Sequence, residues 1–151
     1  MRIPIFYGEN DLTIDDKNRL LVPADVRKRV DVAEHGNAFF VVIGLNRKLW
    51  FYPEKYYEYR LRMIEPELVP SDDRLAFMQL NFAMADRIEP DKAGRMLIPD
   101  KMLKRTGTEK EVVMAGVYDH LELHNRDEWD KRRDYLLDNG QAIMRKEMKA
   151  T

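Results

Sequence analysis

Apolar residues along this chain fall in short runs, not in long helical stripes. Leu12 and Ile14 alternate with polar neighbours, an Asp15-Asp16-Lys17-Asn18 cluster follows, and Leu20-Leu21-Val22 is then continuously apolar. Alternation predicts a half-buried strand, the polar cluster a turn and the apolar run a buried strand, so residues 9–22 are expected to form a hairpin. The series returns as Arg87-Ile88-Glu89, a turn from Pro90 to Gly94, and Met96-Leu97-Ile98. After each comes a short basic helix candidate, 24–34 and 100–106, with Pro23 or Pro99 at its start and Gly36 or Gly107 near its end. Apolar runs from Phe39 to Gly44 and from Val112 to Gly116 then lead through polar turns into second strands, Leu49–Tyr52 and Leu121–His124.

Helical patterns lie between and behind these units. Residues 54–64 begin after Pro53 and end before Pro66; residues 71–85 begin with Ser71 as N-cap and Asp72 and Asp73 in the first turn. The second segment carries Leu75, Phe77, Met78, Leu80, Phe82 and Met84, apolar on more than one face. Such a helix needs two packing surfaces, one in its own module and one on a neighbouring subunit. A last helix is expected from Arg126 to about Asp138, anchored by Trp129, Leu136 and Leu137, with Gly140 interrupting it and a charged, fraying tail.

The recurrence is a duplication. Asp15-Asp16-Lys17-Asn18-Arg19-Leu20-Leu21-Val22-Pro23 returns as Asp91-Lys92-Ala93-Gly94-Arg95-Met96-Leu97-Ile98-Pro99, at an offset of 76 (95 − 19). Four elements recur around it in one order. The predicted organisation is a first module over 9–56, a helical linker over 57–84, a second module over 85–128 and a C-terminal helix and tail over 129–151. An isolated hairpin is not stable in water, so each copy needs a partner, and the other copy supplies it within the chain.

Composition narrows the class. At 151 residues and 44% apolar the chain has enough material for one core or two small intertwined ones, and 35% charged residues imply a well-solvated surface. No run is long enough to span a bilayer, no basic-then-apolar leader opens the sequence, and the absence of cysteine excludes disulfides and thiolate chemistry. These features fit a cytoplasmic protein. The formal net charge of −1 conceals a pattern. Residues 17–29 hold Lys17, Arg19, Arg27, Lys28 and Arg29 against Asp25 alone, and residues 92–105 hold Lys92, Arg95, Lys101, Lys104 and Arg105 against Asp100 alone. Patches of this kind set the local potential whatever the total, and they suit a phosphate backbone.

Candidate catalytic and metal chemistry is thin. His120, Glu122 and His124 sit at alternate positions of a predicted strand, and ends four residues apart are about 13 Å apart at roughly 3.3 Å per residue. The two imidazoles therefore do not share an ion, and the polar face is expected to be solvated. His35 belongs to a helix end beside Gly36, where a cation is favoured. Asp15 and Asp91 are better placed to cap their turns and hold Arg19 and Arg95 than to work as paired acids. With no phosphate loop, nucleophile elbow or nucleophile–base pair, no enzyme activity, metal, cofactor or small-molecule substrate is expected.

The doubled D-x-x-[GN]-R-[LM]-L-[VI]-P motif resembles that of the MraZ family, whose chains carry two AbrB-like modules. Phe6-Tyr7-Gly8 is similar to that family's opening, and Leu49-Trp50-Phe51-Tyr52-Pro53 and Leu121-Glu122-Leu123 to its closing strands. Asn18 departs from the family's usual glycine, which Gly94 keeps. The resemblance implies an α+β fold of tandem AbrB-like, swapped-hairpin modules forming an intramolecular pseudo-dimer with flanking helices. It also implies a cytoplasmic, nucleoid-associated transcriptional regulator, usually a repressor, that binds repeated promoter sites in double-stranded DNA upstream of the division and cell-wall gene cluster as a ring-shaped homo-oligomer. Arg19 and Arg95 are then the expected DNA contacts, supported by Asp15 and Asn18, and by Asp91 and Gly94. Lys17 and Lys92 join them here because a lysine in the turn reaches phosphate. A structural or protein-binding ring subunit without DNA affinity is the alternative.

Overall fold

In the computed structural model, which describes residues 1–150, the apolar runs become eight short strands among the described residues, with helices between them. The first copy contributes β1 (Glu9–Thr13), β2 (Arg19–Leu21), β3 (Phe39–Ile43) and β4 (Leu49–Pro53), with α1 (Ala24–Arg27) and α2 (Val32–His35) between β2 and β3. Between these strands and the second copy's lie α3 (Glu54–Arg62) and α4 (Asp72–Met78), the latter running into a π-helical turn, Gln79–Ala83. The second copy contributes β5 (Asp86–Ile88), β6 (Arg95–Leu97), α5 (Asp100–Thr106), β7 (Glu111–Val117) and β8 (His120–Asn125), and α6 (Arg126–Ala150) closes the chain.

The strands form an antiparallel six-stranded sheet in the order β1-β7-β8-β4-β3-β5 and a separate ribbon of β2 with β6. The order is palindromic with respect to the repeat. Each strand of one copy mirrors its counterpart about a pseudo-two-fold axis between β4 and β8, where Trp50 lies opposite Glu122. The ribbon lies on the same symmetry, with Leu20 directly opposite Met96, its own counterpart in the duplication.

The hairpins expected at 9–22 and 87–98 do not form. Each tight turn closes through its own backbone bonds, Asn18 N to Asp15 O (3.0 Å) and Gly94 N to Asp91 O (2.9 Å), but the strands on either side then diverge. β1 pairs with β7 and β5 with β3, while β2 and β6 pair with each other. The exchange extends beyond the ribbon ends, where Val22 N donates to Gly94 O and Ile98 N to Asn18 O. The physical reason is burial. Leu20, Val22, Met96 and Ile98 are fully buried in one core with Phe51, Leu49, Val112, Met114, Leu121 and Leu123. Truncating one such leucine or methionine to alanine costs about 2–5 kcal/mol. Neither copy holds that core alone.

Two helix expectations change. Residues 24–34 form two separate turns, because Asp31 leaves the first and caps the second, accepting from Ala33 N at 3.2 Å. His35 ends α2 as expected but is buried, accepting from Asp31 N through Nδ1 (3.1 Å) and donating from Nε2 to the Arg2 carbonyl (2.7 Å). Gly140 does not interrupt α6. A glycine costs about 1 kcal/mol relative to alanine in a helix, and Gln141, Ala142, Met144, Arg145, Lys146 and Glu147 beyond it favour helix. The first turns of α6 are tied to β1, with Trp129 Nε1 and Arg133 donating to Glu9 (2.8 and 3.0 Å) and Arg126 to the Leu12 carbonyl (2.9 Å). Among the described residues no helix is long and apolar enough to cross a membrane.

The polar face of β8 is not solvated either. His120 is buried, stacked on Trp50 with ring centroids 4.2 Å apart, and shares hydrogen bonds with Asp119 (2.9 Å) and Glu122 (2.8 Å). Glu122 also meets His124 (2.9 Å), and Asp119 accepts from Tyr56 OH (2.7 Å) and Arg60 (2.9 Å). The result is a pairing chain across the axis, and among the described residues no group of histidines and acids is arranged to hold a metal ion. Strand alternation assigned this face to water; Trp50 and Tyr52 of β4 cover His120 and Trp129 of α6 lies against His124 instead.

Burial raises the Glu122 carboxyl, but hydrogen bonds from His120 and His124 outweigh it and bring the pKa down to about 2. Burial likewise works against charged His120, but Asp119 and Glu122 outweigh it and the imidazole is raised. A lowered carboxyl stabilises the fold above its usual 4.5 and loses that contribution as pH falls towards 2. A raised imidazole stabilises below its usual 6.5 and loses it as pH rises through the folded value. The stability lost in Glu122→Gln should therefore be largest between about pH 4.5 and 6.5 and should shrink on both sides. Urea midpoints for both proteins across pH 2–9 check this; a pH-independent difference would contradict it.

Candidate nucleic-acid interface

The two motif turns are built alike. Asp15 Oδ1 accepts from Lys17 N and Arg19 N, both at 2.9 Å, while Oδ2 accepts from Arg19 Nε at 2.8 Å. Asp91 Oδ1 accepts from Ala93 N and Arg95 N, both at 2.9 Å, and Oδ2 from Arg95 Nε at 3.0 Å. The backbone bond from the arginine outweighs desolvation and, with the arginine side chain, holds each carboxyl below its ordinary value. Both aspartates thus stay ionised and grip the base of an arginine.

The turns need a left-handed residue at their third step. Asn18 adopts φ 60° and Gly94 φ 87°, so asparagine keeps the shape that glycine gives the second copy. The reverse exchange would require the Arg27 side chain to shift. A Cβ on Gly94 would lie 2.7 Å from the Arg27 guanidinium carbon, because Arg27, bonded to the Val22 carbonyl at 3.1 Å, lies across this turn. Arg27 thereby joins the second motif from the first copy. Sequence reasoning counted it only as part of a basic patch, since nothing local reports a contact with a turn so far along the chain.

The outer face of the β2–β6 ribbon collects the side chains that the core excludes. Arg19 lies opposite Leu97 and Leu21 opposite Arg95, and directly opposed residues share a face, so all four project outward while Leu20 and Met96 point in. Arg19 and Arg95 are diagonal neighbours, about 7–8 Å apart at this spacing. Each uses Nε on its aspartate, and among the described residues the terminal Nη groups of both make no hydrogen bond to the protein. The ion pairs are half exposed and contribute little to stability. Their effect is orientation: the guanidinium forks stand at fixed positions with their ends free.

The two lysines are not equivalent. Both are exposed, but the duplication makes Ala93 the counterpart of Lys17, whereas Lys92 corresponds to Asp16, which is itself paired with Lys110. The structure thus brings the arginines together on one face and leaves the lysines on separate turns. Some other cations of the patches are engaged nearby. Lys104 pairs with Asp100 (2.9 Å), Lys101 with Asp86 (4.0 Å), and Arg29 lies over the Tyr7 ring (3.8 Å to its centroid) while donating to the Tyr7 carbonyl at 3.1 Å.

A second surface lies away from the ribbon. Beside α3 and α4 a largely apolar cleft of about 740 Å³ is lined by Trp50, Tyr57, Ile64, Phe77, Leu80 and Phe82, among others. Asn81 donates to the Tyr57 hydroxyl (2.8 Å) and ties the π-helical turn to α3. Phe77 remains 57% exposed and Phe82 44%, so the apolar second face of this helix has no cover within the chain.

Comparison with known proteins agrees with this doubled architecture. The family model described as "MraZ protein, putative antitoxin-like" matches residues 5–75 and 81–148, once for each copy. A protein named "Transcriptional regulator MraZ" from Clostridium beijerinckii is 32% identical over 136 residues, covering 89% of this chain and 91% of that protein. Its namesake from Desulforamulus reducens is 34% identical over 128 residues, covering 84% and 86%. That from Clostridium tetani is 30% identical over 134 residues, covering 89% and 91%. With both copies matched and relatives aligned almost end to end, the chain belongs to the MraZ family of transcriptional regulators.

Proposed function

We propose that this protein is a DNA-binding transcriptional repressor that works as a ring of identical subunits on repeated promoter sites. In this reading it acts in the cytoplasm at the nucleoid, on the division and cell-wall gene cluster, and is not an enzyme. Its DNA contacts are Arg19 and Arg95, held by Asp15 and Asp91 and by the left-handed turn residues Asn18 and Gly94. Lys17 and Lys92 add phosphate contacts from the turns. The modules are taken as 9–56 and 85–128, joined by the linker 57–84 and followed by 129–151. The observation that carries the reading is the pair of arginines at symmetry-related positions on one exposed ribbon, each with its Nη fork open. A planar fork of this kind grips phosphate or guanine with two hydrogen bonds. A two-stranded ribbon is also one of the two elements that the major groove admits.

One ribbon offers few contacts, and assembly supplies the rest. A ring presenting several ribbons to repeated sites gains up to about 10²–10⁴-fold through effective concentration when the spacing fits. The uncovered apolar face at Phe77 and Phe82 is the proposed contact between subunits, since a head-to-tail contact closes into a ring when its rotation permits.

Arg19→Ala and Arg95→Ala should leave the fold and assembly intact and weaken DNA binding. The loss should be about 1–3 kcal/mol for an arginine that reads a base. For one that contacts only phosphate it should be uniform across sequences, with the salt slope reduced by about one. Fluorescence anisotropy on promoter duplexes measures both, and undiminished affinity in the double variant would refute the assignment. Phe77→Glu or Phe82→Glu should lower the mass in solution; a wild-type monomer by light scattering at micromolar concentration would contradict the ring.

A further inference from the structure

Leu21 and Leu97 stand where a solvated ribbon would carry polar residues. They are 51% and 62% exposed, symmetry-related by the duplication, and each lies directly opposite an outward-facing arginine. Isolated surface leucines are ordinary. Here the same leucine recurs in both copies, on the one face where two guanidinium groups are held with their ends open. The ribbon therefore presents an alternating array, Arg19 and Leu21 on one strand and Arg95 and Leu97 on the other, with cross-strand pairs of arginine and leucine.

Of the four base pairs, only those containing thymine place a methyl group on the major-groove edge, and an apolar side chain reads it by contact. From this array we infer that Leu21 and Leu97 are specificity-determining residues that contact thymine methyl groups in the major groove. The inference rests on the DNA-binding reading and extends it from affinity to sequence. Charge complementarity favours DNA over a protein partner as the occupant of this face. Open arginine forks beside the leucines suit phosphate and guanine, whereas an apolar partner would bury two aspartate–arginine pairs and leave their Nη donors unsatisfied. The dimensions also agree, since two strands lie about 4.8 Å apart and the groove is about 12 Å wide. The arginines fix the ribbon on the duplex, and the leucines favour those sites that bring methyl groups beneath them.

The full-length protein is first used to select duplexes from a randomised 30-base-pair pool. Anisotropy titrations then compare a selected duplex with the same duplex carrying uracil for thymine, which removes only the methyl groups. The wild type should lose roughly fourfold in affinity for each methyl in contact. That penalty should vanish in the Leu21→Ala, Leu97→Ala double variant, whose mass by light scattering and far-UV circular dichroism should match the wild type. Equal binding of thymine and uracil duplexes by the wild type would overturn the inference while leaving DNA binding intact. So would a uracil penalty that persists in the double variant, or loss of assembly in that variant, which would make the leucines a subunit contact. Failure to enrich any duplex would overturn the DNA-binding reading and this inference with it.

Discussion

The pairing of Leu20 with Met96 is the contact on which the rest of this structure depends. Both side chains are fully buried, and they face each other across a two-stranded ribbon whose strands come from different copies of the repeat. Burial of that pair draws Val22 and Ile98 inward and turns the alternate positions, Arg19, Leu21, Arg95 and Leu97, outward. A strand has a period of two, so the inner face of the ribbon determines its outer face. Core packing and the candidate interface are thus two sides of one element. A slip of one residue in either strand would bury an arginine and expose the core together.

The duplication acts through this geometry. A single copy carries one arginine on one short strand, with no partner to hold the strand. Two copies in one chain make a ribbon with diagonally placed arginines, and the same exchange sends β1 to β7 and β5 to β3 in the main sheet. Internal symmetry is imperfect in places. Asn18 replaces glycine in the turn not crossed by Arg27, Ala93 stands where the first copy has Lys17, and the linker and α6 belong to no repeat. The aspartate, the arginine, the outward leucine and the closing proline are identical in both halves, and the buried ribbon position stays apolar as Leu20 or Met96.

Much of this was legible in the sequence because it is local. The carboxylate that grips an arginine four residues later lies within one turn, so spacing alone pointed to Asp15 with Arg19 and Asp91 with Arg95. The apolar runs likewise located the strands, and Ser71 caps its helix, accepting from Arg74 N. What escaped was long-range. Periodicity finds strands but not their partners, so the hairpins read at 9–22 and 87–98 open into exchanged arms; the exchange itself was implied by the family resemblance and not by local pattern. Alternation assigned His120, Glu122 and His124 to water, because nothing within β8 shows that Trp50 and Tyr52 from the other copy cover His120. Gly140 read as a break because local propensity weighs one residue, whereas a helix sums many. The unequal lysines follow from the repeat register alone.

The central claim is that the two copies jointly present one arginine-bearing ribbon to DNA. Determining the structure of the assembled protein on a bound duplex tests it most directly. The account predicts the β2–β6 ribbon in the major groove, with the Nη groups of Arg19 and Arg95 within hydrogen-bonding distance of bases or phosphates. A duplex seated on another face, with the ribbon packed against a neighbouring subunit or left in solvent, would contradict it.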